Sequence, residues 1–353
     1  MDRIKVSDFD YELPQELIAQ APLKDRDRSR MLVLRRGTAT REHTYFYRLA
    51  DYLDPGDLLV LNNTRVIPAR LLGRRAGAEA GGAAEILLLH RLDDSRWEAM
   101  VRPGRRLKPG ARVVFDGGLE TLIEAYAGGG KRVVRLSSEK PLEEVLAQVG
   151  RVPLPPYIRA PLEDPSLYQT IYAAEDGSVA APTAGFHFTP AVFDALAEKQ
   201  IRHTFITLHI GPGTFQPVKV EDIREHRMHR EYYHISAATA RLINETRQQG
   251  HRVVAVGTTA CRVLETAAAA EGRTGAAGPL PPVDQAGWTG LFIYPGYRFK
   301  AVDALLTNFH LPRSTLLMLV SAFAGHEPVL AAYREAVAMR YRFYSFGDCM
   351  LIL

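Results

Sequence analysis

The stretch SAATARLINETRQQGHRVVAVGTTACRVLETAAAA, Ser236 to Ala270, decides the fold class. Ser236 can cap a helix, and Gly250 can take the left-handed backbone that ends one, so 236–250 reads as a helix. Val253–Val256 follows as a wholly apolar run, the pattern of a strand buried on both faces of a parallel sheet. Thr258 to Ala270 then reads as helix again. Helix, strand and helix in close succession is α/β texture.

Working outward, Leu58 to Leu61 (LLVL) follows the turn signal Asp54-Pro55-Gly56 and reads as a second buried strand. Between them the texture changes. Trp97, Ala99 and Val101 alternate with Arg96, Glu98 and Arg102, as in a half-buried antiparallel strand, with Met100 out of phase. Arg112 to Phe115, Leu119 to Tyr126 and Arg132 to Leu136 read as further strands. Glycine turns separate them, at Pro109-Gly110, Gly117-Gly118 and Gly128 to Gly130. Closely spaced short strands suggest a small barrel or sandwich. The expectation is a discontinuous α/β domain, 1–61 with 151–353, interrupted by a β-rich insert at 62–150. Arg273 to Gly287, rich in Gly and Pro, reads as a surface loop.

Composition narrows the class. With 353 residues, 46% hydrophobic and 24% charged, the chain has ample material for a core. No apolar run approaches the roughly 20 residues of a membrane helix. The longest, Leu316 to Ala324, reads as a buried helix, and the charged first ten residues show no signal peptide. Cys261 and Cys349 form no metal-spaced pair, and so few cysteines suit a reducing compartment; the expected location is the cytoplasm. A net charge of +4 permits an anionic partner without demanding one.

Five segments dense in Gly, Pro, His, Thr and aromatics make poor helices and poor strands: 62–70, 181–189, 209–215, 307–312 and 341–348. Polar loops carrying histidine beside aromatics suit a site for flat, charged substrates, and five in one chain point to an active site. His187, His209 and His310 lie within them, and each reads either as a core histidine or as a proton-transfer group. His226, His229 and Glu231 spell H-x-x-H-x-E, which on a helix would put both imidazoles on one face for a metal. With no HExxH, no cysteine nearby and a crowd of Arg and Tyr, no metal is expected there. Gly211-x-Gly213 lacks the third glycine of a dinucleotide fingerprint. Gly257-Thr258-Thr259 follows a strand and opens a helix. It reads equally as an anion contact at a helix N-terminus or as a plain capped turn.

In this order, the segments resemble the S-adenosylmethionine:tRNA ribosyltransferase-isomerase family of queuosine biosynthesis. The resemblance runs end to end, through 6–14, 26–30, 62–70, 102–110, 153–158, 168–172, 177–185, 209–215, 226–231, 257–259, 292–297, 307–315 and 341–350. Departures are small: Phe186 and Ile210 stand for the expected Leu and Val, Ala260-Cys261 for Ser-Val, and Cys349 for Ala. The resemblance implies a large α/β domain built from both ends of the chain with an inserted small antiparallel β-barrel. It implies transfer of the ribosyl part of S-adenosylmethionine to the aminomethyl group of a 7-deazaguanine at the tRNA wobble position. The sugar becomes an epoxycyclopentanediol, and adenine and methionine leave. The implied partners are S-adenosylmethionine and the tRNA anticodon stem-loop, with neither metal nor redox cofactor.

That chemistry needs a neutral attacking amine, a base for a C5′ proton and a donor for departing adenine, tasks that suit histidine. His187, His209 and His310 are the expected proton-transfer groups, with Glu231 and Asp348 as their carboxylate partners. Tyr168, Phe188 and Phe343 are expected to stack adenine or the tRNA base. Arg65, Arg70, Arg102 and Arg342 are expected to hold carboxylate or phosphate. Further substrate contacts are expected from Asn63, Thr183, Gly185, Gly211, Gly213, Thr214, Thr258, Thr259 and Asn308. Two rival classes compete: a Rossmann methyltransferase or oxidoreductase, disfavoured by the missing glycine fingerprint, and a non-enzymatic RNA binder, disfavoured by the modest charge and the histidine-bearing loops.

Overall fold

The computed structural model describes residues 4–77, 82–160, 162, 164–215, 218–269 and 278–353. In chain order the strands are β1 (Arg30–Leu34), β2 (Arg41–Tyr45), β3 (Leu58–Asn62), β4 (Thr64–Val66), β5 (Arg70–Arg75), β6 (Ala83–Arg91), β7 (Arg96–Arg102), β8 (Arg112–Val114) and β9 (Glu120–Tyr126). Then come β10 (Arg132–Ser137), β11 (Glu175–Ser178), β12 (Arg202–Leu208), β13 (Glu231–Ile235), β14 (Val253–Val256), β15 (Gln285–Thr289), β16 (Ala304–Asn308) and β17 (Cys349–Ile352). The α-helices are α1 (Leu142–Val149), α2 (Pro190–Glu198), α3 (Ala237–Gln248), α4 (Gly257–Ala269), α5 (Thr315–Ala324) and α6 (His326–Ala338). Among the described residues, no single helix is long and apolar enough to cross a membrane.

The chain forms two compact units. The larger comprises Met1–Asn63, Pro156–Ala174 and Pro182–Leu353. Its sheet runs β15-β13-β12-β3-β14-β16-β17-β1-β2. The four strands β12, β3, β14 and β16 are mutually parallel. Every residue of β3, β14 and β16 is buried, which is why these strands read as unbroken apolar runs. On one face Leu59, Leu61, Val254, Val256 and Leu306 meet Phe46, Leu49, Val192 and Leu196. Helix α4 packs against β3, β14 and β16. Helix α3 starts as its sequence suggests: the Ser236 hydroxyl accepts from the Thr239 amide at 3.1 Å, and Gly250 has φ +80°.

The stretch Arg273 to Gly287 needs correction. Gln285–Thr289 is a strand, antiparallel to β13 with Ile235 opposite Gln285 and Glu231 opposite Thr289. A distant partner supplies hydrogen bonds that local Gly and Pro content does not reveal. Residues 273–277 lie outside the described residues.

The smaller unit comprises Thr64–Pro155 and Glu175–Ala181. Its strands close into an antiparallel barrel in the order β10-β7-β6-β5-β8-β9. Closure removes free sheet edges. Leu71, Ile86, Leu88, Trp97, Ala99, Val113, Ile123 and Val134 fill the interior, and the out-of-phase Met100 points outward, 37% exposed. Residues 175–181 join this unit because β11 pairs in parallel with β4. Helix α1, which the sequence reading does not include, contributes Val145 to the barrel core.

Candidate active site at the carboxyl ends of the parallel strands

In the larger unit β3 lies between β12 and β14. The chain therefore passes from β3 to one neighbour, then crosses to the other side for β14 and β16. In open α/β sheets ligands bind outside the carboxyl ends of the strands, at such a reversal. The segments leaving these ends are Asn63 after β3, His209 to Thr214 after β12, Gly257 to Thr259 after β14 and Asn308 to His310 after β16. Asn62 stitches two of them together: its Oδ1 accepts from the Leu208 amide at 3.0 Å, and its Nδ2 donates to the Leu208 carbonyl at 3.1 Å. Beside it the Thr207 hydroxyl donates to Asn63 Oδ1 at 2.8 Å.

The short 3-10 helix Thr183–His187 reaches the same edge, since a Cβ on Gly257 would lie 3.5 Å from the Ala184 methyl. Gly185 admits no side chain, because a Cβ there would fall 2.0 Å from the Tyr172 hydroxyl. His187 is 4% exposed. Its Nδ1 lies 2.6 Å from the Ser29 hydroxyl, and that hydroxyl donates to the Arg26 carbonyl at 2.9 Å. The Ser29 hydroxyl, donating to the Arg26 carbonyl, is free to accept from Nδ1, a geometry that favours the tautomer with its proton on Nδ1 and a lone pair on Nε2. Burial lowers the His187 pKa to about 4, partly opposed by the Asn308 amide, so the ring is neutral near pH 7.

Among the described residues His187 Nε2, Asn308 Oδ1 and Arg342 NH1 are buried without a hydrogen-bond partner. The Asn308 side chain lies close enough to His187 to raise its pKa, and the Arg342 charge lowers it. An unpartnered buried polar group costs about 1–3 kcal/mol, and three together mark a place where the protein gives up stability for ligand contacts. Phe186, next to His187 in the chain, belongs to an aromatic cluster. Phe186 stacks on Phe346 with centroids 5.8 Å apart, and Tyr168 sets its edge against both. The Arg26 guanidinium lies 5.3 Å from the Phe186 ring centre.

Asp348 and Glu231 have arginine and backbone partners. Asp348 accepts from the Arg30 amide at 2.9 Å, the Arg342 amide at 2.8 Å and the Arg30 guanidinium, which clamps the 342–348 loop. Burial pushes its pKa up. Glu231 opens β13, so 226–231 is not the helix that a histidine pair would need. Its carboxylate forms a buried pair with Arg262 and accepts from the Gly211 amide at 2.9 Å and the Thr214 hydroxyl at 3.4 Å. His229 instead fills the space over Gly213, where a Cβ would come within 2.3 Å of its ring. The His209 ring stacks with Tyr232, centroids 5.9 Å apart.

The remaining expected site residues have the following surroundings. Phe188 and Phe343 are fully buried among Phe46 and Phe193, and among Tyr11, Phe309 and Tyr333, so both are core side chains with no open face for a base. In the barrel unit Arg70 grips Glu85 through two bonds of 3.0 and 3.1 Å, and Arg65 lies 3.5 Å from Asp176. Arg102 is exposed. Thr183 begins the 3-10 helix, Thr258 is buried in the first turn of α4, and Thr259 keeps a buried, unpartnered hydroxyl there. The sequence reading omitted Ser29, Arg26 and Arg262. The first two lie in a quoted motif but acquire meaning only through contact with His187. Arg262 carries no local signal at all.

His310 is held by three contacts. Its Nε2 lies 2.9 Å from the Thr307 hydroxyl, its amide donates to the Tyr333 hydroxyl at 3.1 Å, and its carbonyl accepts from Tyr11. Ser314 caps α5 as expected, accepting from the Leu317 amide at 3.2 Å. Burial lowers the His310 pKa to about 3. This geometry favours a structural role over the proton-transfer role expected from the sequence. His310→Ala should cost about 1–3 kcal/mol of stability with turnover per folded molecule intact. A normal melting temperature with a rate about 10²-fold lower would restore the proton-transfer assignment.

The two most strongly depressed histidines, His187 and His310, carry a pH dependence, to which His90, His203 and His226, also lowered by burial, add in the same direction. Unfolded, His187 and His310 protonate below about pH 6.5; folded, only near 4 and 3. The unfolded chain therefore binds more protons in that window, and stability falls as pH drops from 6.5, by ~1.4 kcal/mol per pH unit for each of these two. Asp348 and Glu265, whose pKa values burial raises, oppose this at the acid end. Urea midpoints between pH 7 and 5 should show the fall, and His310→Ala should shallow it.

Fold and site together define an α/β enzyme with an inserted β-barrel and histidine-bearing loops at the carboxyl ends of its parallel strands. The family described as queuosine biosynthesis protein matches residues 6–352, and the chain belongs to it. It is 55% identical over 353 residues to an S-adenosylmethionine:tRNA ribosyltransferase-isomerase of Symbiobacterium thermophilum, covering 99% of this chain and 100% of that one. It is 51% identical over 352 residues to one from Staphylococcus haemolyticus, with the same coverage. The crystal structure of an S-adenosylmethionine tRNA ribosyltransferase from Thermotoga maritima superposes with a TM-score of 0.56 at 42% identity, covering 98% of this chain and 100% of that one.

Proposed function

We propose that the loops at the carboxyl ends of the parallel strands bind S-adenosylmethionine and transfer its ribosyl part to 7-aminomethyl-7-deazaguanine at the wobble position of tRNA. The products are epoxyqueuosine, adenine and methionine. The observation that carries this reading is the 55% identity, held over 99% of the chain, to a ribosyltransferase-isomerase. The buried polar groups of His187, Asn308 and Arg342 support assigning the chemistry to these loops.

S-adenosylmethionine is consumed as a substrate. Its sulfonium acidifies the C5′ protons and makes methionine a good leaving group. Our reading gives His187 Nε2, neutral and carrying a lone pair, the role of proton acceptor. Asn308 and Arg342 orient polar groups of the substrate, the guanidinium suiting a carboxylate. Phe186 and Phe346, with the fully buried Tyr168 packed edge-on behind them, form an apolar wall for the adenine or the base. His209, Gly211, Gly213 and Thr214 on one side, with Thr258 and Thr259 on the other, border the site, and Glu231 holds the 211–214 turn.

Incubation with S-adenosylmethionine and precursor-bearing tRNA should release adenine in step with a new nucleoside of the mass of epoxyqueuosine. Methyl transfer without adenine release would overturn the reading in favour of a methyltransferase. Exhaustive chelation should leave turnover unchanged, because Glu231 is engaged by Arg262 and His229 packs on Gly213. Activity lost to the chelator and restored by zinc alone would reverse that expectation.

A further inference from the structure

The barrel unit carries a cationic surface that the proposed chemistry does not use. The loop Arg102-Pro103-Gly104-Arg105-Arg106-Leu107-Lys108 leaves the end of β7 with four cations in seven residues. Arg102, Arg105, Arg106 and Lys108 are all exposed. No acidic side chain among the described residues forms an ion pair with any of the four. Most other barrel cations are matched: Arg70 with Glu85, Arg96 with Asp93, Lys131 with Glu98 and Arg135 with Glu124.

The loop is also held rigid. Leu107 is fully buried in the barrel core. The Arg106 and Leu107 amides both donate to the Pro103 carbonyl, at 3.1 and 3.2 Å. Arg132, itself 8% exposed, spends its guanidinium on the loop: Nε donates to the Leu107 carbonyl and NH2 to the Gly104 carbonyl, each at 3.1 Å. Its other nitrogen ties down the Gly130 and Lys131 carbonyls, and its outer face lies 4.4 Å from the ring centre of Tyr126, which is 60% exposed. A buried arginine spent on backbone carbonyls, with no carboxylate partner, is a costly device unless the shapes it fixes matter. Beside the loop runs a groove of about 650 Å³ lined by Arg102, Pro103, Arg74, Leu72, Phe115 and Glu85. The Glu85 carboxylate is occupied by Arg70, which leaves Asp116 as the acid facing Arg74 and Arg102 there.

We infer that this loop and groove bind the sugar-phosphate backbone of the tRNA. Phosphates fit because the exposed cations are unmatched, and a fixed spacing orders them with little entropy to lose on binding. The inference rests on the reading of the chain as a tRNA-modifying enzyme.

The test is direct binding of full-length unmodified tRNA to the intact protein at several salt concentrations. It compares wild type with Arg105→Gln/Arg106→Gln and with Arg241→Gln/Arg334→Gln, which removes equal charge from exposed helix positions of the other unit. Each phosphate contact contributes about one unit to the slope of log affinity against log salt. The loop variant should bind at least about tenfold more weakly, with its slope shallower by about two. Its melting temperature and its affinity for S-adenosylmethionine should be those of wild type, and the control pair should match wild type throughout. Wild-type affinity and slope in the loop variant, or equal losses in both variants, would overturn the proposal. So would loop-dependent binding to phosphatidylglycerol vesicles with tRNA binding untouched, which would assign the surface to a membrane. A wild-type protein that binds tRNA with no salt dependence would overturn both this inference and the functional reading beneath it. Steep wild-type binding with an unaffected loop variant overturns the inference alone.

Discussion

His187→Asn should lower the single-turnover rate by about 10²-fold or more, the usual scale for losing a general acid or base. The substitution is chosen for its geometry. The Asn amide nitrogen overlies Nδ1, so the bond to Ser29 survives, while the lone pair at Nε2 is removed. Folding should suffer little: any weakening of one hydrogen bond costs about 1 kcal/mol, a few degrees in a chain of this length. A variant with a normal rate and a clearly lower melting temperature would return His187 to the core and leave the site without its base.

Glu231→Gln should destabilise the protein by about 3–5 kcal/mol, a large fraction of a domain's usual stability. Glu231 and Arg262 are 4% and 5% exposed. The substitution leaves the buried guanidinium without its counter-charge, and the Gln amide offers one acceptor oxygen where the carboxylate used one for Arg262 and the other for the Gly211 amide. Replacing both, as Glu231→Met with Arg262→Met, should recover most of the loss, because two apolar side chains avoid the desolvation that the pair suffers. Urea midpoints of the single and double variants measure the difference. If the single variant stays within 1 kcal/mol of wild type, the pair does not hold the 211–214 turn.

The fold was legible wherever a strand is buried on both faces. Leu58–Asn62 and Val253–Val256 show themselves because the parallel strands at the sheet centre must be apolar throughout. Gln285–Thr289 was hidden because its partner Glu231–Ile235 lies some 50 residues earlier, and edge strands need no such composition. The loops of the site were legible because histidine and glycine clusters stand out from helices and strands. The state of each histidine was not. His187 and His310 sit in similar sequence surroundings, yet one has an unpartnered Nε2 while the other bonds to Thr307. That difference arises from Ser29, Tyr11 and Tyr333, residues distant in the chain. Arg65 and Arg70 likewise looked free until Asp176 and Glu85 were seen beside them.

The last strand has a consequence for synthesis. β17, Cys349–Ile352, lies between β16 and β1, antiparallel to the first and parallel to the second. During translation the hairpin of β1 and β2 emerges early, but the neighbour that joins it to the parallel strands emerges some 300 residues later. At ribosomal speeds of ~5–20 residues per second, the inner edge of β1, with Met31 to Leu34 as its apolar row, waits on the order of 15–60 s for its partner. An unpaired apolar edge is a template for the wrong strand. Nascent chains stalled before residue 349 should therefore depend on chaperones that full-length chains can do without.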